Sequence, residues 1–257
     1  QWSLPDLTER SRTLQLPISY DFFVCCIEAF LGFFYVGASN GSLLEVAETN
    51  FSIKHFEALG TAPLRSILAL RRSGSDTIVA GDQMGCLWTW TKPDVVPKSA
   101  HGAHSSFVLA IAEARSDLIA SGDFLGQVKL WRLEGPGNAL MHTATLDATK
   151  WGCVRSLTSL GAQLFSGHQS GDICVWAVDD SAATFAKELC GHSALVRCLA
   201  AMPSFGLLAS GSWDETVRIW EVQRLCCVRV ISLHKARLRG LSACGSSLLS
   251  SSIDGLV

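Results

Sequence analysis

The chain has 257 residues, 48% hydrophobic and only 17% charged, which fits a well-buried interior and excludes a disordered segment. Its formal net charge of −2 supplies no basic footprint and argues against bulk nucleic-acid binding through this domain. The length suits one large all-β domain or two average ones.

Taken from the N-terminus, Trp2 stands alone, and the most apolar stretch follows at residues 22–38. That stretch carries Glu28 and Gly32 and falls short of the roughly 18–20 residues a helix needs to cross a bilayer, so no membrane span is expected. Strands are predicted there instead, at 24–29 and 33–37. Further apolar runs at 64–70, 108–112, 154–158, 196–201 and 238–243 read as inner strands covered on both faces. Each is followed by a second strand, at 77–80, 118–121, 163–166, 207–210 and 247–250. Outer strands are expected at 143–146 and 227–231. The sequence begins at Gln1 without a signal-peptide pattern and is read as incomplete at one or both ends.

A repeat organises these strands. Its fullest copy is Ser210-Gly211-Ser212-Trp213-Asp214-Glu215-Thr216-Val217-Arg218-Ile219-Trp220, and weaker copies begin at Val36, Ala80, Ser121, Ser166 and Ser250. The copies end at Val46, Trp90, Trp131, Trp176 and Trp220, spaced by 44, 41, 45 and 44 residues, with Trp2 another 44 before Val46. A period of about 40–45 residues with Gly-containing turns is a propeller signature. The prediction is one all-β domain over 1–257, built of four-stranded antiparallel blades. Its repeats end near 2, 46, 90, 131, 176 and 220, and a last truncated repeat runs to 257. Six repeats are visible, and closing the ring to remove sheet edges points to a seven-bladed parent.

These residues resemble the WD40-repeat family over nearly the whole chain. The resemblance implies a tetrad of His192, Ser210 (Ser212 being the weaker choice), Asp214 and Trp220. A buried indole N–H and a turn carboxylate both need partners, and one network supplies them. His104 and His234 fit the His place, whereas Gly60 and Lys150 do not. At the turn-Asp place stand Met84, Leu125 and Ser170, with Asn40 an approximate substitute, so most repeats are expected to lack a full tetrad.

No catalytic constellation is present: there is no H-E-x-x-H, G-x-S-x-G or phosphate loop, and Asp179-Asp180 reads as a solvated turn. An enzyme, a cofactor and a metal site are therefore not expected. Ten cysteines with apolar neighbours and no C-x-x-C read as small buried hydrophobes in a reducing compartment, the cytoplasm or nucleus.

One pattern points to a ligand. Arg65, Arg155, Arg197 and Arg239 all occupy the second position of an inner strand, where Cys25 and Leu109 complete the set of six. In a propeller these positions surround the central channel near one end face, and guanidinium forks suit phosphate or carboxylate groups. The placement is similar to that of phosphate-reading arginines in the WD-repeat subunits of F-box-type ubiquitin ligases, which residues 191–198 also resemble. The alternative is ordinary pairing with turn carboxylates, for which Asp214, Glu215 and Asp254 are candidates, or exposure to channel water. Phe124, Trp151 and Trp213 are candidate contacts on the same face, each with blade packing as its alternative; for Phe107 packing is preferred.

The function these features predict is a protein-binding scaffold. Its finer form is recognition of an acidic or phosphorylated peptide as a ubiquitin-ligase substrate receptor. The alternative is a structural subunit of a larger, RNA-associated assembly.

Overall fold

The computed structural model describes residues 23–255 except 51, 57–61, 73–74, 93–97, 101, 117, 136–138 and 180–181. The expectations for Trp2, Gly60 and Asp180, and for the last residues of the final repeat, lie outside the described residues. Within them the chain is all-β.

Each repeat folds as an antiparallel sheet whose strands lie side by side in chain order. The first sheet holds β1 (Val24–Phe30), β2 (Phe33–Ala38), β3 (Leu43–Ala47) and β4 (Ile53–Phe56). In the second are β5 (Leu64–Arg72), β6 (Ser75–Asp82), β7 (Leu87–Thr91) and β8 (Lys98–Ala100). The third contains β9 (Val108–Arg115), β10 (Leu118–Asp123), β11 (Gln127–Glu134) and β12 (Ala139–Asp147). Then come β13 (Val154–Leu160), β14 (Gln163–His168), β15 (Ile173–Val178) and β16 (Ala183–Leu189), followed by β17 (Val196–Met202), β18 (Leu207–Ser212), β19 (Val217–Glu221) and β20 (Cys226–Ile231). A two-stranded sheet, β21 (Leu238–Cys244) and β22 (Ser247–Ser252), completes the described part. Among the described residues the only helical segments are single turns at Thr149–Trp151 and Pro203–Phe205.

The hydrophobic core lies between sheets. Leu118, Leu130, Trp151, Val154, Leu164 and Trp176 form one cluster across the third and fourth sheets, and Phe165, Ile173, Val196, Leu208 and Trp220 join the fourth to the fifth. Full burial of each large side chain stabilises the fold by about 1.5–3 kcal/mol. The inner strands pack in succession, β1 on β5, β5 on β9, β9 on β13, β13 on β17 and β17 on β21. Apolar residues on both faces of these strands are explained by this double contact.

The sheets approach closely at a glycine in the second strand of each of the first five sheets. A Cβ on Gly122 would lie 2.3 Å from Cγ1 of Val154, the first residue of the next inner strand, and one on Gly81 would lie 2.4 Å from Cγ1 of Val108. Only a residue without a side chain lets neighbouring sheets meet at that separation.

Candidate functional site

All six inner strands carry a β-bulge at the same place. Val24 pairs with Ala38 and Cys26 with Gly37, so Cys25 is the extra residue. By the same register shift the extra residues of the following strands are Arg65, Leu109, Arg155, Arg197 and Arg239. A bulge leaves its extra residue outside the ladder and re-aims its side chain. Here it turns four arginines out of the alternation that buries Val154, Val196 and Leu238.

Three of the four, Arg65, Arg155 and Arg197, line a single cavity of about 240 Å³ with Cys25, Leu109, Phe107 and Phe124. Five sheets contribute to this wall, which requires that they surround a common axis. Arg239 does not line the cavity, but its guanidinium acts on Arg197. Burial, and then the positive charges of Arg155 and Arg239, push the Arg197 pKa down. An arginine nevertheless stays protonated in water, so these charges crowd together without neutralising one another.

No carboxylate among the described residues forms an ion pair with any of the four. Asp214 is held by His192 at 2.8 Å and Asp254 faces His234 at 3.2 Å, so neither serves as the turn partner that the pairing alternative requires. Arg65 donates to the amide oxygen of Gln83, a neutral acceptor. Nε of Arg155 is buried without a hydrogen-bond partner.

The aromatic candidates separate. Phe124 is 45% exposed and lines the cavity with Phe107, which is 37% exposed, their ring centroids 5.7 Å apart. Phe107 thus stands on the cavity wall rather than between blades, contrary to the packing preferred for it from sequence. Trp213 is half-buried under the Arg237 guanidinium, 4.7 Å from its ring, and is not among the lining residues. Trp151 is a correction. It is only 6% exposed and belongs to the core between the third and fourth sheets, stacked on Phe185 at 5.3 Å and edge-on to Trp176. With its ring enclosed, it has no face left for a partner.

Around this rim, hydrogen-bonded tetrads hold the loops that deliver the inner strands. In the fifth sheet His192 Nδ1 meets Asp214 at 2.8 Å and Nε2 meets the Ser210 hydroxyl at 2.7 Å; that hydroxyl also accepts the Trp220 indole N–H at 2.8 Å. Ser212 instead donates to the carbonyl of Ala194. Burial pushes the His192 pKa down despite the adjacent Asp214. For Asp214 burial acts upward, but bonds from Thr216 and His192 outweigh it and its carboxyl is lowered. The pair is therefore a neutral imidazole donating Nδ1–H to a carboxylate.

Among the described residues a full tetrad closes in the third and fifth sheets, so most repeats lack one as expected, although the third was not expected to have it. In the third sheet Asp123, two residues before the anticipated turn position, meets His104 at 3.0 Å, and Ser121 bridges His104 to the Trp131 indole. The fourth sheet draws its imidazole from the second strand: His168 meets Ser166 at 2.8 Å, Ser166 accepts the Trp176 indole, and Nδ1 meets the carbonyl of Gly152. Burial lowers the His168 pKa to about 4. His234, Ser250 and Asp254 form a similar set in the last sheet. Among the cysteines all ten are free, but Cys190, Cys226 and Cys244 are exposed, so burial does not describe the whole set.

A family model described as "WD domain, G-beta repeat" matches residues 183–221, which run from β16 through β19. Pre-mRNA-processing factor 19 of Bos taurus is 41% identical over 78 residues, covering 30% of this chain and 16% of that protein. DDB1- and CUL4-associated factor 13 of Gallus gallus is 35% identical over 79 residues, 30% of this chain and 18% of that protein. WD repeat- and FYVE domain-containing protein 4 of Mus musculus is 29% identical over 125 residues, 46% of this chain and 4% of that protein. The chain spans less than a fifth of the length of each of these relatives. Six successive sheets built on one repeat, tetrads that tie His, Ser, Asp and Trp together, and the matched repeat at 183–221 together support the WD40-repeat family for this chain.

Proposed function

We propose that this chain is a non-enzymatic protein-interaction scaffold whose arginine-lined end face takes an acidic or phosphorylated segment of a partner protein. One observation carries the reading: Arg65, Arg155 and Arg197 line one cavity, with Arg239 acting on Arg197, and no described carboxylate pairs with any of them. Arg155 and Arg197 are half-buried beside the exposed Arg65 and Arg239, and an anion with several acceptor oxygens relieves their mutual repulsion through charge-assisted bonds. In the assembly role we infer, the bound segment marks a substrate for a ubiquitin ligase. The similarity of residues 191–198 to F-box-type receptors supports this role, as does a relative named for association with DDB1 and CUL4. A second reading, a scaffold subunit in RNA processing, is favoured by the relative named as a pre-mRNA-processing factor. The ten free cysteines support a reducing compartment, the cytoplasm or nucleus.

Fluorescence anisotropy with an acidic peptide, phosphorylated and unphosphorylated, tests the anionic reading. The phosphorylated form is expected to bind more tightly, and Arg197→Ala or Arg155→Ala to weaken it by about ten-fold or more while the thermal midpoint stays unchanged. Binding that ignores both the phosphate and these substitutions would refute it. Co-purification of the wild type but not Arg197→Ala with ligase subunits supports the first assembly role; co-purification with RNA-processing factors supports the second.

A further inference from the structure

The outermost strand of each four-stranded sheet, β4, β8, β12, β16 or β20, stands at the end of its sheet and has one open edge. An open edge presents unpaired N–H and C=O groups to any extended chain, and a basic residue on the strand guards against such pairing. Four of the five carry one: Lys54 in β4, Lys98 in β8, Lys187 in β16 and Arg229 in β20. β12 has none. Its 9 residues make it the longest of the five, and its one formal charge is the last of them, Asp147. It contains neither proline nor glycine, and Ala139, Met141, Thr143 and Thr145 are exposed. A bulge does not set it apart: the register shift that makes Thr143 its extra residue recurs at Ala186 in β16 and Val228 in β20. What β12 lacks is the charge.

We infer that the open edge of β12 accepts an extended segment of a partner protein as a fifth strand of the third sheet, a segment uncharged along its middle and basic at both ends. The backbone groups of β12 that point away from β11 supply the pairing, and they do so without regard to the partner's side chains. Charges at the two ends of the edge supply the selection. Asp147 closes the strand, and Glu134, at the end of β11, pairs with Ala139, its first residue. Both carboxylates are exposed, and neither forms an ion pair among the described residues. A strand of about nine residues, roughly 26 Å from first to last, reaches both. A second copy of β12 brings no cation to either carboxylate, so a different, basic-ended chain is the complementary occupant. This edge and the inner strand β9 lie on opposite sides of the sheet, so the arginine-lined face can be occupied at the same time.

Three labelled peptides of about nine residues, alternating threonine and valine, test this against the full chain. One ends in lysine on both sides, one in glutamate, and one is lysine-ended with alternate backbone nitrogens methylated. Fluorescence anisotropy reads affinity, and hydrogen–deuterium exchange reads where the peptide pairs. The lysine-ended peptide is expected to bind about ten-fold more tightly than the glutamate-ended one and to slow amide exchange within residues 139–147. Methylation should abolish both effects. Met141→Lys gives β12 the guard its counterparts carry and should weaken binding about ten-fold, whereas Arg197→Ala should leave it unchanged. Glu134→Gln with Asp147→Asn should bring the two end charges to within about two-fold of each other. Exchange at 139–147 that a bound peptide leaves unaltered, equal affinity for both end charges, or binding that survives methylation overturns the inference. A dimer of the chain alone that Met141→Lys dissolves would assign the edge to a second copy and likewise overturn it. Thermal midpoints of each variant confirm that the fold is retained.

Discussion

The indole N–H of Trp90 is buried without a hydrogen-bond partner, whereas the equivalent indoles of Trp131, Trp176 and Trp220 each donate to a serine hydroxyl. The difference is one atom: Ala80 occupies the place of Ser121, Ser166 and Ser210. Ala80→Ser is expected to raise stability by about 1 kcal/mol, because it satisfies a buried donor without enlarging the core by more than an oxygen. Urea unfolding checks this through a higher midpoint at unchanged slope; a lowered midpoint would mean that the added hydroxyl finds no acceptor for its own proton. The serines and tryptophans of these networks are legible in the sequence because they stay in register with the repeat. The histidine and aspartate are less so. Asp123 and His168 both stand at the position of Ser212, yet one supplies the carboxylate and the other the imidazole. A position-by-position alignment misses them because the network fixes where the polar atoms meet, not which backbone position sends them.

At the scale of strands, the apolar runs and Gly-marked turns locate the inner and second strands within a few residues. The bulges are different. Nothing in Val-Arg-Ser or Val-Arg-Cys announces an extra residue, since the bulge arises from pairing with a strand some dozen residues away. The recurrent arginine column was visible, but the device that aims it was not. Close contact between sheets is similarly hidden in the small residue of Ser-Gly. Gly122→Ala would put a methyl group 2.3 Å from Cγ1 and 2.7 Å from Cβ of Val154. Rotation of the valine cannot clear its own Cβ, so the sheets must separate, at a cost of about 1–3 kcal/mol. Val154→Ala in the same chain should recover part of the loss, giving a coupling that denaturant titration of the four-member cycle measures. Strict additivity of the two substitutions would show that the sheets are not in contact there.

For the molecule as a whole, charge is the quantity that residues and strands do not determine separately. The chain carries a formal net charge of −2, yet it gathers arginines at one end of its axis. Fold class followed from the repeat alone, whereas the local field follows only once the ring brings distant residues together. An approaching anion meets a weakly negative molecule at long range and concentrated positive charge only at contact. Steering by the overall field is therefore weak, and the attraction operates after the ligand has entered. Raising ionic strength from 0.1 M to 1 M shortens the screening length from about 10 Å to about 3 Å, which reaches charges facing the cavity mouth. Salt is accordingly expected to weaken phosphopeptide binding mainly by speeding dissociation, with the association rate changing by less than about three-fold. Stopped-flow anisotropy at several salt concentrations separates the two rates. An association rate that falls steeply while dissociation stays constant would place the governing field outside the cavity, and the arginines of the bulges would then not be the charges that hold the ligand.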